Sequence, residues 1–488
     1  MPALGKTAIP KSAIVVGGGV AGMSAACALA EAGLRVKLIE RRGYLGGRAS
    51  SYRHPGVDEV IDNCQHVLFG CCTNLIGFYQ RIGVAERIHW TNEMTMIEPG
   101  SQRHSELRPF GWGPFALPAP LHGLPSLMMA KAFTREDKKS LVRAFQALMR
   151  PVPANSSETL GEWLRRNGQT PGAINRFWRL VIASALNADV DEISLPYAAK
   201  VIRELFLNSA AAGSMGMSTV PLSELYSGES HSGAAQFLRQ RGGEVILNAS
   251  VNGAAWDEET SQWTLTTRAG DQVAEFLVLA LPFEATANLL PLMPPADGVE
   301  KLAVQIARQE HGPICSVHLW FDREITDLDH AVLLDREIHW MYNKGRLQPS
   351  RRSSGSYLEL VVSASRKFAA LSREEAIDLA VRELAEFFPA VAAAKLEKTA
   401  LVKEMRATFT VSPGIDSARP SSKSPWPNCV LAGDWIATGW PSTMESAARS
   451  GHLAAETVCA AIGEWRKILD PDLKPRGLMR FVTTATSR

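Results

Sequence analysis

The stretch Ala13–Arg48 constrains the fold most strongly, because it reads in turn as a strand, a glycine-rich turn, a helix and a second strand. The apolar run Ala13–Val16 predicts a buried strand, and the alanine-rich segment Ala21–Ala32 predicts a helix. A second apolar run, Val36–Ile39, ends on Glu40. This order predicts a Rossmann-like unit, so we expect an α/β fold.

Three glycines between the first strand and the helix have the spacing G-x-G-x-x-G. Gly17 permits a tight turn, the bare backbone of Gly19 lets a pyrophosphate approach, and Gly22 lets the helix pack against the strand. The first helical turn, with Val20 and Ala21, offers free N–H groups to the phosphates. The alternative is a turn that is glycine-rich by chance, but the strand, the helix and the acidic residue follow in the order that a dinucleotide site requires.

The end of the second strand supplies further candidate ligands for a cofactor. Glu40 stands where a carboxylate can accept hydrogen bonds from ribose hydroxyls, and Arg41 follows it. The glycine pair Gly46–Gly47 and the cation Arg48 suit a loop that wraps a second phosphate or a cofactor edge, although a plain surface turn would also carry them.

Composition excludes several classes of protein. The 488 residues are 46% hydrophobic, which suffices for two or three domains with their own cores. The formal net charge is only +2 and the cations are scattered, so we expect no nucleic-acid partner. The seven cysteines have neither disulfide nor metal-ligand spacing, and we expect free thiols in a reducing compartment and no metal site. We expect no secretory signal and no membrane-spanning helix.

A second strand–loop–helix unit stands near the end of the chain. The apolar run Cys429–Ala432 predicts a buried strand, and Gly433 and Asp434 follow it. We expect a helix to start at Pro441–Met444, a turn that includes Ser442 and Thr443. Two such units so far apart are explained if one long cofactor lies across both, with Asp434 binding its hydroxyls. The helix start would face a ring oxygen that becomes negative on reduction, which indicates FAD, not a nicotinamide.

A third group of polar residues precedes an apolar run. Asp62, Asn63, Gln65 and His66 stand within five residues of each other and predict the polar lining of a site. The alternative is a loop in which Asp62 or Asn63 caps a helix and His66 is a structural histidine.

Other segments give expectations about elements. Residues 110–133 are unusually apolar, so this run is either buried or in contact with lipid or an oily substrate. The sequence predicts one helix over Leu222–Gln240 and a hairpin that pairs Trp256–Thr266 with Gln272–Ala280. A helix over Arg373–Phe388 has capping-box spacing, and the polar stretch Gly345–Gly355 predicts a solvated loop.

Taken together, these motifs resemble the flavin-containing amine oxidase and phytoene desaturase superfamily over nearly the whole chain. Within it, the chain is most similar to the hydroxysqualene dehydroxylase branch, except that Cys64 stands where that branch usually has glycine. The residues that carry the resemblance are Gly17-x-Gly19-x-x-Gly22, Glu40, Gly46-Gly47-Arg48, Asp62-Asn63-x-Gln65-His66-Val67-Leu68-x-Gly70, the segment Val245–Val251, the strand Leu277–Pro282, and Gly433-Asp434-Trp435-x-x-Thr438-Gly439-x-Pro441-x-Thr443-x-Glu445-x-Ala447-x-x-Ser450-Gly451.

The resemblance implies FAD as cofactor and a two-domain fold, in which the Rossmann-like domain is joined by a substrate domain of mixed sheet and helices. Implied boundaries are 1–95, 225–297 and 412–465 for a discontinuous FAD-binding domain, 96–224 and 298–411 for the substrate domain, and 466–488 for a tail. Val251 would join the FAD ligands. Residues 110–150 would include the part that contacts a membrane, in a cytoplasmic protein attached peripherally to it.

The implied reaction is reductive, with hydroxysqualene losing its allylic hydroxyl to give squalene, a precursor of hopanoids. Reduced flavin, recharged by an electron donor, would deliver hydride to an allylic cation. Asp62 and His66 are the candidate acids for the leaving hydroxyl, and Asn63 and Gln65 could orient it.

Three alternatives stay open. The first is a carotenoid-type desaturase, which uses the same cofactor in the oxidative direction. The second is a flavin amine oxidase, and the third is a binding module without catalysis, like the GDP-dissociation inhibitors for prenylated GTPases. The intact dinucleotide motifs disfavour the third alternative.

Overall fold

The computed structural model describes residues 11–101, 104–108, 117–228, 232–351 and 355–484. Its first layer is a five-stranded parallel sheet, which the N-terminal motif predicts. In spatial order the strands are Glu244–Ile246, Arg35–Ile39, Ser12–Val16, Phe276–Leu279 and Cys429–Leu431. Because the strands are parallel, Gly17, Glu40 and Gly433 all leave the sheet at the same edge.

Two long helices, Val20–Glu31 and Met444–Ala461, pack against each other on this sheet. Their backbones approach closely at Gly451, where an added Cβ would lie 2.3 Å from the carbonyl oxygen of Ala21. The N-terminal and C-terminal units of the sequence therefore form one body, with the starts of both helices at the same edge of the sheet.

The second layer is a seven-stranded sheet, which is mixed because one pair of strands is parallel and the other pairs are antiparallel. In order the strands are Leu396–Phe409, His311–Phe321, Ser356–Ser363, Trp340–Asn343, His330–Leu333, Met94–Ile97 and His104–Leu107. Helix Arg373–Phe387 covers one face, and Trp340 and Tyr342 on the other face join the main core. These two layers confirm the α/β fold and its mixed-sheet substrate part, whereas the exact domain boundaries stay a prediction.

The remaining strands form three small sheets. One pairs Val251–Asp257, Gln262–Thr267 and Gln272–Ala274; a second pairs Ser51–His54 with Glu59–Asp62; a third joins Val67–Phe69, Met215–Ser218 and Ile88–Thr91. The hairpin expected between Trp256–Thr266 and Gln272–Ala280 is confirmed in part, because Gln262–Thr267 pairs with Gln272–Ala274, but it is shorter than expected at both ends. The chain already turns back after Asp257, and Phe276–Leu279 leaves the hairpin to join the parallel sheet.

The remaining helices range in length from the three residues of Pro171–Ala173 to the 14 residues of Arg135–Leu148. They are Thr73–Arg81, Leu124–Met129, Arg135–Leu148, Leu160–Arg166, Pro171–Ala173, Ser184–Leu186, Leu195–Ile202, Leu222–Ser227, Ala234–Arg239, Phe283–Leu289, Val299–Ala307, Lys344–Leu347, Arg366–Ala370 and Met479–Thr484, with π-helical turns over Ile174–Ala183 and Arg203–Leu207. The capping box of Arg373–Phe387 is confirmed: Glu375 N–H donates to Ser372 Oγ, and Ser372 N–H donates to Glu375 Oε2. Among the described residues, no helix is both long and apolar enough to cross a bilayer.

Three local expectations need correction. The single helix over Leu222–Gln240 is two helices, because the chain adopts positive φ angles of 81° at Gly228 and 103° at Gly233. The start of the loop expected at Gly345–Gly355 is a buried helical turn. The last helix begins at Met444 with Thr443 as its N-cap, so Pro441 precedes the helix and does not form its first turn.

The apolar run 110–133 is divided. Residues 110–116 lie outside the described residues. Beyond them, Leu127 and Phe133 are buried, whereas Leu117, Leu121, Met128 and Met129 are exposed, and Met129 is 79% exposed. Burial and surface exposure therefore both occur within this segment.

Candidate functional site

The first glycine turn is tightly enclosed by backbone. Gly17 has a φ of 109°, and a Cβ there would lie 2.4 Å from the carbonyl oxygen of Ala280. A Cβ on Gly22 would lie 1.9 Å from the carbonyl oxygen of Gly17. No side chain fits at either position without a shift of the backbone, so the glycines are required by the turn and by the packing of helix on strand.

Gly19 and Gly47 form an open cradle over the helix start. They face each other, so that a Cβ on Gly47 would lie 3.1 Å from Gly19 Cα, while a Cβ on Gly19 would project into space with its nearest neighbour 4.0 Å away. Gly46 N–H fixes the second glycine loop by donating to Gly18 O at 2.8 Å. Val20 and Ala21 begin the helix beneath this cradle. The bare backbone and the free N–H groups fit a pyrophosphate.

Glu40 is buried at the end of its strand and shaped by its neighbours. Its Oε2 accepts a hydrogen bond from Gly18 N–H at 2.7 Å and its Oε1 accepts one from Arg42 N–H at 2.8 Å. A carboxylate held this way still has lone pairs for ribose hydroxyls. Val251 begins the strand that follows Ala249, whose N–H donates to Glu40 O at 3.0 Å.

Arg42, which the sequence analysis did not single out, contacts the glycine loop. Its Nη1 donates to Gly47 O at 2.8 Å, whereas the neighbouring Arg41 is exposed. Arg42 lies beyond the end of the strand Arg35–Ile39, so no strand periodicity marks it in the sequence. Arg41 as a cofactor ligand stays a prediction.

Arg48 joins the two cofactor-binding units. Its guanidinium pairs with Asp434 and also donates to Ala407 O at 3.0 Å. Burial alone would lower the pKa of Arg48, but the adjacent Asp434 carboxylate raises it overall. Ser442 Oγ donates to the other oxygen of Asp434 at 2.5 Å. Gly46–Arg48 and Gly433–Asp434 therefore meet, as one long cofactor lying across both units requires.

The loop before the last helix is held by a buried cation. Arg419 donates to Trp440 O at 2.7 Å and to Asp434 O at 3.0 Å. These carbonyls lie outside the strands, and the guanidinium gives them the hydrogen bonds that water would otherwise donate. Thr443 Oγ1 caps the helix by accepting from Ser446 N–H at 3.1 Å. This leaves the N–H groups of the first turn, at Met444 and Glu445, at the positive end of the helix dipole.

The Asp62–His66 loop lies beside the cofactor-binding residues. Asn63 Nδ2 donates to Arg48 O at 3.0 Å and to Glu404 Oε2 at 3.2 Å, which ties the loop to the glycine turn and to the seven-stranded sheet. Cys64 has a φ of 65°, the left-handed conformation that favours glycine. A cysteine therefore stands here in place of the glycine of the resembled branch, but the backbone keeps the conformation that a glycine would adopt.

Asp62 and Gln65 do not stand free in the loop, because both bind Lys344. Lys344 Nζ donates to Asp62 Oδ2 at 2.5 Å and to Gln65 Oε1 at 2.7 Å. Ser51 Oγ also donates to Asp62. An ion-paired carboxylate strongly favours its charged form, so this arrangement disfavours Asp62 as a proton donor.

His66 has a defined tautomer. Its Nδ1 lies 2.9 Å from Cys64 O, and since a carbonyl can only accept, Nδ1 carries the proton. Within the part of the chain that the structure describes, Nε2 has no hydrogen-bond partner, and this atom remains accessible. Burial lowers the pKa of His66. The hydrogen bond to Cys64 O and the charge of Asp62 oppose this effect, whereas the cations Lys344 and Arg48 add to it. His66 is thus a neutral imidazole near pH 7, and its unprotonated Nε2 is the ring atom that can act as a base.

The sequence analysis missed Lys344, because nothing near it marks a site. It follows a buried strand, and its partner Asp62 stands 282 residues earlier. None of the described residues forms a cluster of three or more side chains suited to a metal ion. All seven cysteines are buried and unpaired, and Cys429 is an ordinary core residue whose pKa burial raises to about 12.

Comparison with known proteins agrees with this geometry. The chain is 25% identical over 477 residues to the 15-cis-phytoene desaturase of Synechococcus elongatus, which covers 93% of this chain and 97% of that protein. It is 26% identical over 469 residues to the chloroplastic/chromoplastic 15-cis-phytoene desaturase of an Oncidium hybrid cultivar, covering 92% of this chain and 78% of that protein. The solved structure of wild-type putrescine oxidase bound to putrescine has the same fold, with a TM-score of 0.68 at 16% identity over 93% of this chain and 99% of that one.

A family model described as "Flavin containing amine oxidoreductase" matches residues 20–459, which is most of the chain. The glycine cradle, Glu40, the Arg48–Asp434 junction and the last helix start lie within or next to that range and fit the two ends of FAD. The chain therefore belongs to the flavin-containing amine oxidoreductase family and is an FAD-dependent oxidoreductase.

Proposed function

We propose that this enzyme desaturates a linear isoprenoid polyene of the carotenoid type. The observation that carries the proposal is His66, a neutral imidazole with an accessible Nε2 in a loop that contacts Arg48. The full-length similarity to 15-cis-phytoene desaturases, and to a probable zeta-carotene desaturase at 24% identity, supports this substrate class. The half-buried apolar side chains of Val67 and Phe69, which follow His66, suit an oily substrate.

Desaturation requires a base. A hydride leaves one allylic carbon and a proton leaves its neighbour, and the two electrons of the second C–H bond form the new double bond. FAD, when bound, supplies the acceptor for the hydride. His66 Nε2 takes the proton, and the Nδ1–H bond to Cys64 O stabilises the imidazolium that results. An external electron acceptor must then reoxidise the flavin.

Reductive dehydroxylation of hydroxysqualene to squalene is the second candidate. The sequence Asp62-Asn63-x-Gln65-His66 favours it through its resemblance to that branch. Loss of the hydroxyl as water requires a proton donor, and an electron donor must supply reduced flavin. Asp62 is paired with Lys344, and the lowered pKa of His66 disfavours the imidazolium near pH 7. The electrostatics therefore favour the oxidative reaction.

Product analysis separates the two reactions. We expect the purified flavoprotein with a quinone acceptor to convert 15-cis-phytoene into products with longer conjugation, seen by their absorption and mass. His66→Gln should retain FAD but lose about 10²- to 10⁴-fold in kcat, since the base is gone. His89→Gln, at an exposed histidine, is the matched control. Squalene formed from hydroxysqualene with a reductant, and no reaction with phytoene, would replace the first candidate by the second.

We also propose that the enzyme attaches peripherally to a membrane, from which such a substrate must be taken. The exposed side chains of Leu117, Leu121 and Met129 support this, together with Leu478 and Phe481. The two groups meet at one place, because Leu478 N–H donates to Ala119 O at 2.7 Å. Exposed apolar side chains grouped this way are typical of contact with a lipid surface.

Liposome co-sedimentation tests the attachment. Replacing Leu117, Met129 and Phe481 by serine should reduce binding to phospholipid vesicles about tenfold or more, because three apolar side chains no longer enter the lipid. The control replaces Val304 and Met405 by serine, since both are equally exposed apolar residues elsewhere on the surface. Equal binding by the two variants would rule out this patch as the attachment site.

A further inference from the structure

Lys344 is the most deeply buried cation next to the candidate site, with 1% of its side chain exposed. It begins a helical turn, Lys344–Leu347, directly after the strand Trp340–Asn343. Its ammonium group lies 2.5 Å from Asp62 Oδ2, 2.7 Å from Gln65 Oε1 and 3.6 Å from Glu359 Oε2. A buried lysine is costly unless it is paired, and here three oxygens surround it.

The contacts of Lys344 fix both ends of the loop that carries His66. At one end, Asp62 is held by Lys344 and by Gln348, whose Nε2 donates to Asp62 Oδ2 at 3.2 Å. At the other end, Gln65 accepts from Lys344 and donates through Nε2 to His66 O at 3.1 Å. One ammonium group thus sets the conformation of the four residues before the imidazole.

We propose that Lys344 is a positioning residue, which holds the Asp62–His66 loop against the seven-stranded sheet so that His66 Nε2 points at the substrate. This inference rests on the proposed role of His66 as a base. Within the described part of the chain, the hydrogen bonds of Lys344 go to Asp62 and Gln65 and not to the imidazole, so it positions His66 through these two side chains.

Charged groups on several elements act on His66 and Lys344. Asp62, Lys344 and Arg48 act on His66. Lys344 itself is faced by Asp62 and Glu359. Ser51 Oγ donates to Asp62, and the charges of Asp62 and Glu359 act on the hydroxyls of Tyr226 and Tyr342, respectively. Because the charge of Lys344 lowers the pKa of His66 and that of Asp62 raises it, removing the lysine charge must raise the pKa of His66.

The test uses the holoenzyme carrying Lys344→Met. We expect normal FAD content, a kcat about 10²-fold lower and a KM within about threefold of wild type, because the loop is displaced while the substrate surface is intact. The acidic limb of the kcat profile should move to higher pH, because the pKa of His66 rises when the lysine charge is removed. Lys344→Arg should restore most of the rate. Lys398→Met, at an exposed lysine that pairs with Glu59, is the control. A wild-type kcat and pH profile in Lys344→Met would overturn the proposal.

Lys344→Met alone leaves buried carboxylates unpaired, and this can cost about 3–5 kcal/mol and prevent folding. The double variant Lys344→Met with Asp62→Asn removes both charges of the pair. We expect it to regain thermal stability but to stay slow, since Gln65 still lacks its donor. Recovery of the wild-type rate in the double variant would show that the lysine only neutralises Asp62, which contradicts positioning.

A readout without turnover separates this proposal from the proposed function. The imidazole resonance of His66, assigned by comparison with His66→Gln, can be titrated by NMR in histidine-labelled protein. Its pKa should be higher in Lys344→Met than in wild type, because the lysine charge that lowers it is gone. This holds whether or not phytoene is a substrate. An unchanged titration and an unchanged chemical shift would reject Lys344 as the residue that positions the His66 imidazole. Failure of phytoene turnover alone would reject only the proposed reaction.

Discussion

His66 and Cys64 show how single residues decide the chemistry of this site. A carbonyl that can only accept a hydrogen bond, Cys64 O, fixes the tautomer of the imidazole. That carbonyl is aimed by the left-handed backbone at Cys64 itself, with a φ of 65°. Burial and two nearby cations keep the imidazole neutral. The loop conformation and the protonation state are therefore linked.

Substitution of Cys64 tests the strained backbone. A left-handed backbone costs a residue other than glycine about 1–2 kcal/mol. Cys64→Gly removes this cost but also removes a buried side chain, and the two effects largely cancel. The free energy of unfolding should therefore change by less than about 1 kcal/mol. Cys64→Val should lower the free energy of unfolding by about 2 kcal/mol more than Cys64→Gly does, since a β-branched residue tolerates this φ least. Thermal melts of the holoenzyme provide the measurement.

The matched control is Cys315→Gly. Cys315 is equally buried, but it lies within the extended strand His311–Phe321, where no strain is relieved. We expect it to be destabilised by about 2 kcal/mol. Equal losses at the two cysteines would contradict a strained backbone at Cys64.

At the scale of elements, both cofactor ends are built from a strand end, a turn and a helix start. The Gly17–Gly22 turn and the Gly433–Met444 segment leave the same edge of one parallel sheet. They differ in how the turn is held, since the first relies on glycines and the second on the buried Arg419. The Arg48–Asp434 pair connects them.

Glu40 anchors the first of these ends. Glu40→Ala should raise the Kd for FAD about 10- to 100-fold, because two backbone N–H groups and the ribose hydroxyls lose a charged acceptor. Fluorescence titration of the apoprotein with FAD measures this. Glu258→Ala, at an exposed turn, is the control and should leave the Kd unchanged. A Kd for Glu40→Ala within twofold of wild type would mean that Glu40 does not hold the ribose.

The elements that could be predicted from sequence are those with local signals. Gly17, Gly19, Gly22 and Glu40 stand within one strand–helix–strand unit, and Ser372 and Glu375 form a capping box within four residues. The hairpin after Asp257 was missed because its turn has no glycine; Ser261 adopts the positive φ of 52° instead.

The part of the site that could not be predicted depends on contacts between distant segments. Lys344 meets Asp62 across 282 residues, and no local pattern reports such a pair. The sequence did indicate that Asp62–His66 line a site, but only the structure separates the paired Asp62 from the accessible His66.

At the scale of the whole molecule, the last helix ties the cofactor layer to the rest of the fold through His452. This residue is fully buried; its Nε2 accepts from Arg81 Nη1 at 2.9 Å, and its Nδ1–H donates to Asn74 Oδ1 at 2.9 Å. Burial, and then the charges of Arg81 and Arg449, lower its pKa to about 3. His452 therefore stays neutral in the folded protein.

Such a histidine makes stability depend on pH. Below its ordinary pKa of about 6.5, the unfolded chain takes up a proton that the folded protein refuses, so stability falls with pH by up to about 1.4 kcal/mol per unit down to about pH 3. His452→Asn removes this titration, and its loss of stability between pH 7 and pH 5 should be smaller than that of wild type. Melting temperatures at the two pH values measure the difference. Parallel losses in both proteins would show that His452 does not titrate in this way.

The direction of electron flow is the central claim at this scale. Oxidised holoenzyme is mixed, without oxygen, with 15-cis-phytoene in phospholipid vesicles, and the absorption of the oxidised flavin should bleach in a single turnover. In His66→Gln the bleaching should be about 10²-fold slower, or smaller in extent. The contrary result is an oxidised flavin that phytoene leaves unchanged, together with a dithionite-reduced flavin that hydroxysqualene reoxidises as squalene appears.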